Sequence, residues 1–112
     1  MATHVIVSHG ADFEGVDRFT VTQLRELGKY VRGVLPYDDC PKLTALLDEA
    51  GTQEHAFAAD EAALLAVLFR RAAAHRALAK KHAGVALLLG LAAAQAVEHR
   101  EPWTWTLEEV SR

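Results

Sequence analysis

Residues Ala83–Ala94, AGVALLLGLAAA, continued by Gln95-Ala96-Val97, are apolar around the whole of a helical wheel. A helix without a polar face needs cover on every side, which predicts a central core helix with the rest of the chain packed around it. The run is well short of the roughly 20 residues that cross a bilayer, so it reads as a core helix rather than a membrane span. The chain of 112 residues is long enough to bury that helix within a single α+β domain, residues 1–112. Its 51% hydrophobic and 24% charged content suits a globular protein. A net charge of −3 gives neither a basic excess for nucleic acid nor an acidic tail. The opening MATHVIVSHG lacks a basic segment followed by a long apolar one, and Cys40 is the only cysteine. Both features lead to the expectation of a cytoplasmic protein without disulfides.

The flanking segments supply the cover. Thr3–Ser8 reads as a strand with Val5 and Val7 on one side and His4, Ile6 and Ser8 on the other, apolar enough on both to be a covered strand. Gly10–Asp17 reads as a loop. Thr20-Val21-Thr22-Gln23 fits a capping box, with Phe19 and Leu24 as a hydrophobic staple, and opens a first helix. Its stripe is Val21, Leu24, Leu27, Val31 and Val34, closed by Gly33 and Pro36. After a turn at Tyr37–Cys40, Pro41 begins a short helix buried through Leu43, Leu46, Leu47 and Ala50, with Gly51 as its C-terminal glycine. Glu54–Ala58 can form a brief strand centred on Phe57. Asp60 is the expected N-cap of a third helix, Glu61–Lys81, and Lys80–Gly84 the expected reversal into the central helix. The central helix stops near Glu98-His99-Arg100, ahead of Pro102. Strict alternation in Trp103-Thr104-Trp105-Thr106-Leu107 then predicts a half-buried antiparallel strand. The expected fold is α+β: a small antiparallel sheet formed largely by the N- and C-terminal strands, packed on about four helices including a buried antiparallel helical hairpin.

Chemistry-bearing residues are few. Val5-Ile6-Val7-Ser8-His9-Gly10 delivers a histidine from a strand into a glycine turn, where backbone N–H groups can hold a phosphoryl anion. The segment resembles the phosphorylated-histidine segment of the mannose-type and dihydroxyacetone-kinase-associated phosphotransferase carriers. That resemblance implies His9 as phosphoryl acceptor with Ser8 beside it. The further strands of those carriers, with acidic and glycine-rich loops, have no counterpart between Leu35 and His99. A likeness to histidine phosphatases stops at His9-Gly10, because Ser8 stands where the arginine belongs. Asp12, Glu14 and Asp17 offer oxygen ligands near His9, but their spacing matches no standard metal loop, so no metal or cofactor is expected. His75 and His82 are two helical turns apart, unlike a metal-binding pair on successive turns. Cys40, between Asp39 and Pro41, has no nucleophile setting. Arg70, Arg71, Arg76, Lys80 and Lys81 concentrate positive charge, yet on one continuous helix they project to different faces. Trp103 and Trp105 either floor a groove or lid the helical core.

No nucleophile–base pair, metal cluster or nucleotide loop emerges. The sequence therefore points to a non-catalytic binding or regulatory protein of the inhibitor or accessory type, acting through a protein partner. The expected contact residues are His9, Asp12, Phe13, Glu14 and Arg25, with Trp103 and Trp105. The apolar helix beside an alanine-faced neighbour also allows a homodimer, with packing completed across a two-fold axis. Phosphoryl transfer through His9 is the first alternative, and weak nucleic-acid binding through Arg70–Lys81 the second.

Overall fold

A computed structural model describes residues 2–8, 16–35, 38 and 40–110. The order is β1 (Ala2–Ser8), β2 (Val16–Thr20), α1 (Val21–Val31), α2 (Cys40–Asp48), β3 (His55–Phe57), α3 (Ala59–Ala73), α4 (Lys80–Glu98) and β4 (Trp103–Val110). The strands form one antiparallel sheet in the order β2-β1-β4-β3. The N- and C-terminal strands lie side by side at its centre, with Val5 opposite Leu107 and Val7 opposite Trp105. Alternation along each strand sends Val5, Val7, Phe19, Trp103 and Trp105 into the core. The opposite face carries Arg18, Ala56, Thr106 and Glu108, all exposed. β1 is therefore covered on one face only, and Ile6 is half-buried rather than enclosed.

β2 takes in Val16 and Asp17, the last two residues of the loop expected over Gly10–Asp17, and runs on to Thr20. Asp17 and Arg18 interrupt its apolar pattern, and its conformation follows from pairing with β1, which sets Phe19 opposite Val5. The capping box forms as its residues predict: Gln23 N–H donates to the Thr20 hydroxyl at 3.0 Å, and Thr20 N–H donates to Gln23 Oε1 at 2.8 Å. Helix α1 buries Leu24, Leu27 and Val31. Pro41 lies within the first turn of α2, which starts one residue earlier at Cys40. Gly51 terminates this segment at φ +87°, and an added Cβ would stand 2.5 Å from Val21 Cγ2. Only glycine meets both demands without strain.

The third and fourth helices divide differently from the expected boundaries. Helix α3 begins after Ala58, which makes no side-chain cap; Asp60 and Glu61 instead occupy the first turn, where carboxylates favour the helix dipole. It ends at Ala73, and the reversal falls at residues 74–79. There Ala77 N–H donates to His75 Nδ1 at 3.1 Å, while buried Leu78 anchors the turn. Lys80–Gly84, expected as the connection, forms the first turn and more of α4. Helices α3 and α4 pack extensively as a hairpin. They approach closely where Gly90 faces α3: a Cβ there would lie 3.4 Å from the Ala66 carbonyl oxygen and 2.9 Å from Arg70 Cγ.

The C-terminus of α4 is a Schellman motif. Arg100 N–H donates to the Val97 carbonyl at 3.1 Å and Glu101 N–H to the Ala96 carbonyl at 2.9 Å. Between them Arg100 takes φ 58°, the left-handed region. This reversal delivers the chain into β4, whose side beyond the end of the short β3 is met by a side chain: Leu107 N–H donates to Glu54 Oε2 at 2.9 Å.

Candidate functional site

Helix α4 buries Val85, Ala86, Leu89, Ala92, Ala93 and Ala96 against the domain. The cover on every side that its composition predicts is absent on one side of the helix. Leu87, Leu88 and Leu91 are 47%, 43% and 42% exposed. On α3, Leu64 and Val67 are 42% and 50% exposed. Five large aliphatic side chains thus stand in solvent on the two helices of one hairpin. Scattered exposed leucines are ordinary, but Leu87 and Leu91 stand one turn apart on α4, and an exposed aliphatic stripe of this kind on a helix marks a surface suited to another molecule.

Two shallow grooves border these side chains. One, of about 300 Å³, runs between the helices along Arg70, Ala73, Ala74, Ala83, Gly84 and Leu87. Its floor is low because alanines and Gly84 supply it; a Cβ at Gly84 would meet nothing within 4 Å. The other, of about 320 Å³, lies where Leu64 and Leu65 of α3 meet Lys42 and Leu46 of α2 and Phe57 of β3. Both are open and mostly apolar, without the convergent polar groups that fix a small ligand.

The described residues singled out from the sequence do not form one site. His9, Asp12, Phe13 and Glu14 lie outside the described residues, as do the side chains of Asp17 and Cys40. Arg25 is exposed on α1. Trp103 and Trp105 are 0% and 1% exposed, with rings perpendicular at a centroid separation of 5.5 Å, so they close the helical core from the sheet side. Phe69 of α3 and Phe57 of β3 pack edge-on or tilted against Trp103 at 6.2 and 5.5 Å.

Ser8 has a structural task. Its hydroxyl accepts from Thr104 N–H at 2.9 Å, and its carbonyl accepts from the Trp103 indole N–H at 3.1 Å. The serine thus continues the β1–β4 ladder through its side chain and fixes the ring of Trp103. His82 is buried and stacks on Tyr30 at 4.5 Å, joining α4 to α1. Among the described residues, no group of three or more His, Cys, Asp or Glu side chains converges to hold a metal ion. No helix among them is long and apolar enough to cross a membrane.

The charges on the hairpin are more ordered than projection on one long helix implied. The break at residues 74–79 puts Arg70 and Arg71 at the end of α3, Arg76 in the turn, and Lys80 and Lys81 at the start of α4. Arg71, Arg76, Lys80 and Lys81 therefore fall toward one end of the hairpin, while Arg70 lies against Gly90, midway along α4. Asp60 and Glu61 of α3 and Glu98 of α4 lie at the other. No sequence rule identified the exposed leucines, because an all-apolar helix does not reveal which of its faces is covered.

The class defined by this fold and surface is a small α+β domain with a four-stranded antiparallel sheet, helices on one face, and a helical hairpin with exposed aliphatic side chains. A family model described as a domain of unknown function (DUF7739) matches residues 10–106, and the chain belongs to that family. Comparison with curated proteins and with solved structures finds no match.

Proposed function

We propose that this chain is a small non-catalytic binding or regulatory protein of the inhibitor or accessory type, acting in the cytoplasm through protein contacts made by the α3–α4 hairpin. The observation that carries the reading is the exposure of Leu64, Val67, Leu87, Leu88 and Leu91 on one pair of helices. Helix faces of this kind are satisfied by other helices or by grooves that accept leucine anchors at spacings of three and four residues. The occupant is a protein, whether a second copy of this chain or another molecule.

The test uses three baits: wild type, Leu87→Ser/Leu91→Ser, and His9→Ala. Each is assayed for a stoichiometric complex by sedimentation of the purified chain and by capture from source extract. The reading expects a complex kept by His9→Ala and lost by the leucine variant, with unchanged circular dichroism. A complex or phosphorylated adduct lost only with His9→Ala would move the function to that histidine. Absence of any stoichiometric protein complex would overturn the proposal.

A further inference from the structure

Resting on the reading of the hairpin as a protein-binding surface, we infer that its occupant is a second copy of this chain, docked with α4 antiparallel to its symmetry mate. The inference comes from the outward stripe of α4. At about 100° per residue, Lys80, Gly84, Leu87, Leu91, Ala94 and Glu98 fall within an arc of roughly 80° on the helix wheel. Lys80, Gly84, Leu87, Leu91 and Glu98 are exposed and Ala94 is half-buried. The stripe is symmetric in sequence about Leu89: Lys80 and Glu98 are equidistant from it, as are Gly84 and Ala94, and Leu87 and Leu91. A two-fold axis through that point sets each residue opposite its counterpart in the mate. Lysine then meets glutamate at both ends, leucine meets leucine in the middle, and small residues meet between. An isologous interface requires this self-complementarity, since residue i contacts j and j contacts i.

The placement of charge gives an independent reason. A lone helix favours carboxylates at its N-terminus and cations at its C-terminus. Helix α4 does the reverse, opening with Lys80 and Lys81 and closing with Glu98. The last turn of α3 adds Arg70 and Arg71, with Arg70 lying along the groove that Gly84 and Leu87 line. An antiparallel mate reverses the account, because its Glu98 and the negative end of its dipole come to rest over Lys80. The same polarity extends across the hairpin. Residues 62–97 contain five arginines and lysines and no carboxylate, while the far end carries Asp60, Glu61 and Glu98 against the single cation Arg100 in the turn that follows α4. A partner of uniform charge would oppose one end of this surface; a second copy turned end for end complements both.

Size is adequate as well. A helix of 19 residues is about 28 Å long. With α3 alongside, the hairpin face offers on the order of 500 Å² per protomer, near the lower range for a specific dimer. Weak, salt-sensitive association in the micromolar range is the expected behaviour.

Sedimentation equilibrium of the full chain tests the inference with Lys80→Glu, Glu98→Lys and the double exchange Lys80→Glu/Glu98→Lys. Each single variant sets like charges together at both ends, so dimerisation should weaken roughly five- to thirtyfold. The double exchange restores opposite charges only in the antiparallel arrangement and should recover affinity to within about threefold of wild type. Far-ultraviolet circular dichroism and thermal melts monitor folding, and the recovery itself excludes damage to the monomer as the cause. A wild-type chain that stays monomeric at about 200 μM would overturn the inference. So would a double exchange no better than the single variants. A monomeric chain that still binds a different protein through Leu87 and Leu91 would refute the dimer while leaving the proposed function intact.

Discussion

Replacing Arg100 by glycine should stabilise the protein. Arg100 is the one non-glycine residue with positive φ among the described residues, at 58°, and it holds the left-handed position of the Schellman turn. An L-residue in that conformation bears roughly 1–2 kcal/mol of steric cost, which glycine does not. Glycine loses more backbone freedom on folding, and that offsets about 0.4–1 kcal/mol of the gain. The net expectation is about 0.5–1 kcal/mol of added stability. For a chain of 112 residues, average unfolding entropies convert this to a rise of about 2–4 °C in Tm. Calorimetry and urea unfolding with unchanged m-value provide the measurement. Arg100→Ala is the control: it removes the exposed side chain but keeps Cβ, so it should leave the midpoint nearly unchanged. An Arg100→Gly protein no more stable than wild type would refute the assignment of strain to this turn, as would an alanine variant that gains equally.

Gly51→Ala should act in the opposite sense, costing about 2–4 kcal/mol by urea unfolding, because it combines positive φ with a Cβ 2.5 Å from Val21; a loss below about 0.5 kcal/mol would contradict that geometry. Ser8→Ala should cost about 1–3 kcal/mol by leaving Thr104 N–H without its acceptor. Faster amide exchange at Thr104 would accompany the loss, and an unprotected Thr104 amide in the wild type would refute the assigned bond.

The parts of the fold legible in the sequence are those in which local chemistry and tertiary packing agree. Thr20 and Gln23 specify their reciprocal bonds within four residues, and the alternation from Trp103 to Leu107 suits both the strand and its burial. Gly51 marks its turn because few other residues tolerate one. Elements created by long-range partners were not legible. β2 depends on pairing with β1, and its charged residues mask the one inward position, Phe19. The reversal between α3 and α4 has neither glycine nor proline; Ala74-His75-Arg76-Ala77 continues a helical pattern and is broken by the His75 side chain and the docking of Leu78. Gly84 was the stronger local signal for a reversal, yet the helix runs through it. The hairpin surface was half legible: small residues and leucines announced helix contacts, whereas the outward direction of Leu87 and Leu91 is settled only by where α3 and the sheet lie.

The sheet order has a consequence for the timing of folding. β4 is made after every other element, yet it sits between β1 and β3 and carries both tryptophans of the core. During synthesis the α3–α4 hairpin can assemble from neighbouring segments, while β1 and β3 must wait without their shared neighbour. Joining β1 to β4 closes a loop of roughly 100 residues, an entropy cost of about 4 kcal/mol that local structure formed earlier can reduce. The nascent chain should therefore hold two unsatisfied strand edges beside a preformed helical pair until β4 clears the ribosome, and then complete its sheet in one cooperative step.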